Sequence, residues 1–287
     1  MILSQDKIID IEYVKYLLNN PTQCIPSMLI FGEPGAGKTS FAKYLSTQLD
    51  AELIFAPCYD GVSIEQLVYN WDLGTLVDAM TDEKVSGREA MKDGYLLQAL
   101  KKSSDRKIVL LIDEIDKAKP SVDTFLLSYL QECFLNDPIT GPIHGNKNNL
   151  VVIFTSNKRR ELEDALDRRF TMIREFHFPK RNELLDQVKM MINVPYNETK
   201  LNFVIDLALT YRSLEVNKKP SQNQIADLIQ EAYHIGELSI GRNLSKQMKF
   251  RAMLWKFSQD KNDHKVFYDV LKEKHKNKTI HYIGSML

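Results

Sequence analysis

Gly32-Glu33-Pro34-Gly35-Ala36-Gly37-Lys38-Thr39 brings three glycines, a lysine and a threonine together at the spacing of a phosphate cradle. Glycine at 35 and 37 lets successive backbone N–H groups close around phosphate oxygens with no side chain in the way. Lys38 would reach the terminal phosphates as a point charge, the Thr39 hydroxyl would hold a bridging Mg²⁺, and Ser40 continues the cradle into the next element. Two carboxylates, Asp113 and Glu114, stand directly behind an uninterrupted apolar run. Asp113 there would hold the hydration shell of the metal opposite Thr39, and Glu114 would orient and deprotonate an attacking water. Asn157 follows a second such run and has the amide needed to bond a γ-phosphate or that water. Arg168 and Arg169 supply guanidinium groups of the kind that stabilise charge on a transferring phosphoryl group. Each group also has a plain structural reading: a Gly-rich turn, a solvated acidic strand end, a turn-forming Asn, and arginines opposing a helix dipole. The phosphate loop upstream tips the balance, because every later group falls where a held nucleotide would need it.

The elements that must position these groups are legible as patterns. Ser27-Met28-Leu29-Ile30-Phe31 is a short buried-strand run ahead of the cradle, and a helical pattern runs from about Lys38 to Leu49. That strand-to-helix context adds the unpaired N–H groups and positive dipole end of a helix N-terminus. Residues 51–56, 107–112, 150–154 and 172–178 read as further strands, with 107–112 apolar throughout, as in a strand covered on both faces. Helices are expected over 95–102, 121–134 and 161–170, and short helices joined by loops between 58 and 94. Residues 136–149 read as an exposed hairpin or loop. Residues 6–18 read as a strand or turn followed by a helix, with Ile8, Ile9 and Tyr13 packing inward. Beyond Pro179 the strand signals fade and helical patterns recur at 182–193, 199–215, 221–235, 242–258 and 264–275. The expected organisation is an α/β nucleotide-binding domain over 1–179 and an all-helical domain over 180–287.

Composition bounds the rest. Lys+Arg and Asp+Glu both number 38 in 287 residues, so no overall field draws the chain to nucleic acid or an anionic membrane. The lysines from 242 onward alternate with apolar residues and read as a solvated helix face. Three separated cysteines, Cys24, Cys58 and Cys133, argue against a disulfide framework. No uncharged apolar run approaches the ~20 residues of a membrane span, so the expectation is a soluble, cytoplasmic protein.

In order, Gly-Glu-Pro-Gly-Ala-Gly-Lys-Thr (32–39), Ile-Val-Leu-Leu-Ile-Asp-Glu-Ile-Asp (108–116), Val-Val-Ile-Phe-Thr-Ser-Asn (151–157) and Ala-Leu-Asp-Arg-Arg-Phe (165–170) resemble the signature set of AAA+ ATPases. Asp93-Gly94-Tyr95-Leu96-Leu97-Gln98-Ala99-Leu100 resembles the MoxR-like and dynein-related branch. The resemblance covers roughly 6–180 and implies a P-loop NTPase parallel sheet flanked by helices, followed by a smaller helical lid. It implies ATP and Mg²⁺ as cofactors, with 32–40 and Asp113 at the nucleotide and Thr39 and Asp113 at the metal. It further implies Glu114 as catalytic glutamate, Asn157 as sensor 1, and Arg169 or Arg168 as the finger. Self-association into a ring of six, and a client or adaptor protein as partner, follow from the same resemblance. So do the placement of a helix-2 insert in 60–93 and of a pore-facing hairpin in 137–148. The stretch 219–224 lacks the lid arginine that family members often carry, and that role stays unassigned. A nucleic-acid motor, a GTP-using restriction-type motor and a slow nucleotide-gated scaffold are the competing readings.

Overall fold

The computed structural model describes residues 5–20, 23–72, 75, 91–137, 141–158, 160–216, 218–238, 242–258 and 260–274. The chain forms two compact units. Residues 5–33 and 38–176 make one, and 34–37 group with the residues from 177 onward in the other.

In the first unit the apolar runs become β1 (Ser27–Gly32), β2 (Glu52–Pro57), β5 (Ile108–Asp113), β8 (Leu150–Ser156) and β9 (Met172–Phe176). They form one five-stranded sheet in the order β2-β5-β8-β1-β9, with every pairing parallel. Parallel neighbours need crossovers, and α2 (Lys38–Leu49) and α4 (Tyr95–Ser103) occupy the intervals before β2 and β5, while α5 (Pro120–Glu132) lies between β5 and β8. Burial explains the sequence patterns. Residues 108–112 and 150–156 are buried without interruption, as central strands covered on both faces must be. Edge strand β9 buries only Met172 and Phe176. The core gathers Leu110, Ile112, Val152 and Phe154 with Leu96, Leu100, Val122 and Leu126, each such buried side chain contributing about 1.5–3 kcal/mol.

Two small antiparallel ribbons leave the sheet. β3 (Tyr69–Trp71) follows the short helix α3 (Ile64–Val68) and pairs with β4 (Met91–Asp93). Of the short helices and loops expected between 58 and 94, the parts at 73–74 and 76–90 lie outside the described residues. β6 (Phe134–Asp137) pairs with β7 (Gly141–His144), so the stretch expected as a hairpin or loop carries an antiparallel ribbon, with 138–140 outside the described residues.

Two local expectations change. Residues 6–18 form no strand: α1 (Gln5–Asn19) is one helix. It buries Ile11, Val14, Leu17 and Leu18, and leaves Ile8, Ile9 and Tyr13 exposed. Asp10, also buried, accepts from Arg174 Nε of β9 at 2.8 Å and fixes which face turns inward. The helix expected over 161–170 shrinks to α6 (Asp164–Asp167). Glu163 is held extended with its N–H on Asp123 Oδ2 at 3.1 Å, so helical geometry starts only after it.

The second unit is helical: α7 (Arg181–Met191), α8 (Glu198–Arg212), α9 (Gln222–Glu237), α10 (Arg242–Phe257) and α11 (Lys261–Lys274). Its starts are written in capping residues. Asn197 Oδ1 accepts from the N–H groups of Thr199 and Lys200 at 2.9 and 3.2 Å, and Ser221 with Gln224 forms a capping box. Leu184, Val188, Val204, Ile205, Tyr211, Ile225 and Phe267 build its own core.

Candidate active site

β1 ends in Gly32, where φ is +147° and a Cβ would lie 2.1 Å from the carbonyl oxygen of Phe176 on β9. Only glycine lets the neighbouring strand approach this closely. At Gly37 a Cβ would meet nothing within 4 Å, so the demand there is the left-handed backbone at φ +92°. Ala36 is buried, while Glu33, Pro34, Gly35 and Ser40 are exposed.

α2 opens on Lys38, whose side chain folds back against the strand ends and is only 7% exposed. Its ammonium donates to the carbonyls of Gly32 (2.8 Å) and Glu33 (3.1 Å) and to Asn157 Oδ1 (2.7 Å). Burial pulls its pKa below the usual lysine value, and the carboxylates of Asp113, Asp116, Glu114 and Glu33 pull the other way.

β5 delivers Asp113 beside Thr39. Asp113 Oδ1 accepts from the Thr39 hydroxyl at 3.0 Å and from the Thr155 hydroxyl of β8 at 2.6 Å. Thr155 Oγ1 in turn accepts from the Glu114 N–H at 2.9 Å, so the side chain of one strand fixes the backbone where the other ends. Glu114 sits in the left-handed region at φ 58°, ψ 48°, a conformation costing a non-glycine residue about 1–3 kcal/mol and met at functional turns. Its carboxylate forms an ion pair with Lys117 and accepts from Asn157 Nδ2 at 2.7 Å. The Asn157 N–H donates to Asp116 Oδ1 at 3.2 Å, and Asp116 is buried. Asn157 thus bonds three charged side chains at once: Lys38, Glu114 and Asp116.

Behind this row the Cys58 N–H donates to the Asp113 carbonyl at 2.8 Å. Burial first, and the nearby Asp113 second, push the Cys58 thiol up to about 12. Farther along, Arg160 grips the wholly buried Asp123 of α5 through two bonds of 2.7 Å and donates to the carbonyls of Ala118 (3.0 Å) and Ile115 (3.3 Å). The Asp123 bonds raise the Arg160 pKa. This clamp ties the acidic turn to the segment between Asn157 and the arginine pair.

Arg168 and Arg169 are both exposed. With its amide oriented to satisfy both groups, the Gln131 oxygen of α5 accepts from Arg169 Nε at 3.1 Å and Nη2 at 2.5 Å. The Arg169 carbonyl accepts from Ser27 Oγ at 3.3 Å.

The structure therefore brings Lys38, Thr39, Asp113, Glu114 and Asn157 into one hydrogen-bonded row, and sets Arg168 and Arg169 away from it on an exposed corner. Asp116, Lys117, Asp123, Gln131, Thr155 and Arg160 were given no site role in the sequence. The adjacency of Asp116 and Lys117 to the carboxylate pair, and of Thr155 to Asn157, were the available signals. Nothing local marked Asp123 or Gln131. Among the described residues no cluster of three His, Cys, Asp or Glu side chains is arranged to hold a metal, and no helix is long and apolar enough to cross a membrane.

Residues 27–170, just over half of the 287, match the AAA domain of the dynein-related subfamily. Over 207 residues the chain is 28% identical to the chaperone protein ClpB of Mycoplasma genitalium, covering 70% of this chain and 27% of that one. ClpB of Aquifex aeolicus is 27% identical over 239 residues, 75% of this chain and 22% of its own. ClpB of Malacoplasma penetrans is 32% identical over 143 residues, 49% and 18% respectively. The chain spans about a quarter of the length of these relatives or less. The matched stretch begins at β1 and ends just past the arginine pair, enclosing every group of the row described above, and on that match the chain belongs to the AAA+ ATPase family, in the dynein-related subfamily of AAA domains.

Proposed function

We propose that this chain is a Mg²⁺-dependent ATPase that assembles into a six-membered ring and remodels or matures a partner protein, in the manner of the MoxR-like branch that residues 93–100 resemble. The observation that carries the reading is the three-way bonding of Asn157, which links the phosphate-binding lysine to the carboxylate that would activate water. Kinship with proteins named as ClpB chaperones supports the remodelling role.

In this reading Lys38 and the N–H groups of 32–39 bind the triphosphate, exchanging the neutral oxygens now around the ammonium for anionic ones. Thr39 and Asp113 would hold Mg²⁺, an oxygen donor pair suited to a hard cation that keeps most of its waters, and the ion would supply positive charge beside the phosphates. Glu114 takes the proton of the attacking water, with its carboxylate aimed by Asn157 and paired with Lys117. Asn157 positions the water. Arg168 enters the site of the next subunit, while Arg169, bonded to Gln131, holds the corner from which Arg168 projects.

The test compares ATP with GTP turnover, with and without DNA. The reading expects ATP hydrolysis indifferent to DNA. A preference for GTP, or strong stimulation by DNA, would favour a restriction-type or nucleic-acid motor. Binding without turnover in the assembled protein would favour a nucleotide-gated scaffold. Mixing Arg168→Ala with Glu114→Gln chains, each inactive alone, should restore part of the activity, because intact Glu114 and intact Arg168 then meet across some interfaces. No recovery from mixed and assembled chains would refute the shared site.

A further inference from the structure

Between the first turns of α8, the later turns of α9 and Lys249 of α10 lies a cavity of about 270 Å³. Leu201, Val204, Ile229 and Ala232 give it an apolar wall, and Tyr196 and Tyr233 add amphipathic rings. Against this wall stand two lysines, Lys200 and Lys249. Both are half-buried, and neither ammonium has an ion-pair partner among the described residues. Burial draws the Lys249 pKa down and the charge of Lys200 draws it further the same way.

Three neighbouring carboxylates pair with other lysines. Glu198 pairs with Lys189 at 2.8 Å, and Asp227 and Glu231 lie 3.8 and 3.6 Å from Lys256. Glu237, the carboxylate in the cavity lining, is exposed. The first free N–H groups of α8 are bonded to Asn197, which leaves the two ammonium groups as the anchoring donors. Two like charges crowded against apolar surface are unfavourable alone and favourable around an anion.

We propose that this cavity binds the free C-terminal carboxylate of an apolar-ended peptide, with the carboxylate at Lys200 and Lys249 and the terminal side chain on Leu201, Val204, Ile229 and Ala232. The volume falls just below the range of drug-sized ligand pockets, which suits one aliphatic residue and its carboxylate. Capture of a terminal carboxylate is an established mode of peptide recognition.

The proposal does not rest on the ATPase reading, and its test uses the full chain without nucleotide. Fluorescence anisotropy would follow an N-terminally fluorescein-labelled hexapeptide ending in Ala-Leu, as the free acid and as the amide. The free acid should bind saturably, and the amide at least tenfold more weakly. Lys249→Met should weaken the acid at least tenfold. A Cβ at Gly236 lies 3.4 Å from Lys249 Nζ, so Gly236→Leu should block the cavity without removing a charge and gives a second route to the same answer. Absence of saturable binding, equal binding of acid and amide, or affinity unchanged in both variants would overturn the proposal. N-acetyl-leucine should compete with the labelled peptide and N-acetyl-leucinamide should not, and equal competition by the two would also overturn it.

Discussion

Asn157 is the side chain on which the reading turns, since its two amide ends face Lys38 and Glu114. Asn157→Ala should leave nucleotide binding within a fewfold of wild type and lower turnover a hundredfold or more, the scale on which positioned proton-transfer and water-orienting groups act. Isothermal titration beside a phosphate-release assay separates the two effects. Lys38 gives a pH-dependent companion. Its pKa is lowered by burial, and a bound phosphate stabilises its charged form, so affinity for ADP should fall as pH rises through that lowered value. Lys38→Ala should lose binding at neutral pH and show no such fall. A wild-type affinity flat from neutral to strongly alkaline pH would contradict the contact. At this scale the sequence was informative wherever a residue type has few uses in its position, as with Lys38 after the glycines or Asp113-Glu114 behind an apolar strand. It was silent on Asp123 and Gln131, because their partners lie 37 or more positions away and a bond across that separation leaves no local trace.

At the scale of elements, the clamp between α5 and the segment after β8 decides how rigidly the acidic turn is held. Asp123 is wholly buried, and its loss would leave Arg160 without its carboxylate. Asp123→Ala should therefore cost about 3–5 kcal/mol in urea unfolding. The double variant Asp123→Leu, Arg160→Met should recover much of that stability, because no charge is then left unpaired. A loss below about 1 kcal/mol in the single variant would show the pair to be solvated. β5 and β8 were readable because a strand covered on both faces carries no polar interruption. The helices of the second unit were readable to within three residues, because an amphipathic period and capping residues at Asn197 and Ser221 mark them. α6 is shorter than its pattern suggests, since the Glu163 N–H is taken by Asp123 and the Glu161 carbonyl by the Arg160 side chain. The apolar pattern of α1 does not single out its buried face, and the exposure of Ile8, Ile9 and Tyr13 goes with a buried Asp10–Arg174 pair that no apolar count registers.

For the whole molecule, the thiols report on the intact fold. Cys58 and Cys133 are buried, with pKa values raised to about 12 and about 11, chiefly by burial. Both should resist a thiol reagent such as dithiobisnitrobenzoate at pH 8 and react once urea unfolds the chain, leaving Cys24, the partly exposed one, as the site of fast labelling. Fast labelling of all three would mean a looser first unit than described. The parallel sheet and the helical second unit follow from patterns that many residues share, which is why they were legible, whereas the strand order rests on pairings between distant segments and was not. A ring and its partner depend on surfaces that carry no such repetition. The most direct measurement of the central claim sets Glu114→Gln beside wild type, with fluorescent-nucleotide binding and steady-state ATP hydrolysis read on the same preparations. ATP affinity should stay within about twofold of wild type and hydrolysis fall at least a hundredfold. Hydrolysis by Glu114→Gln at the wild-type rate would contradict the role given to Glu114.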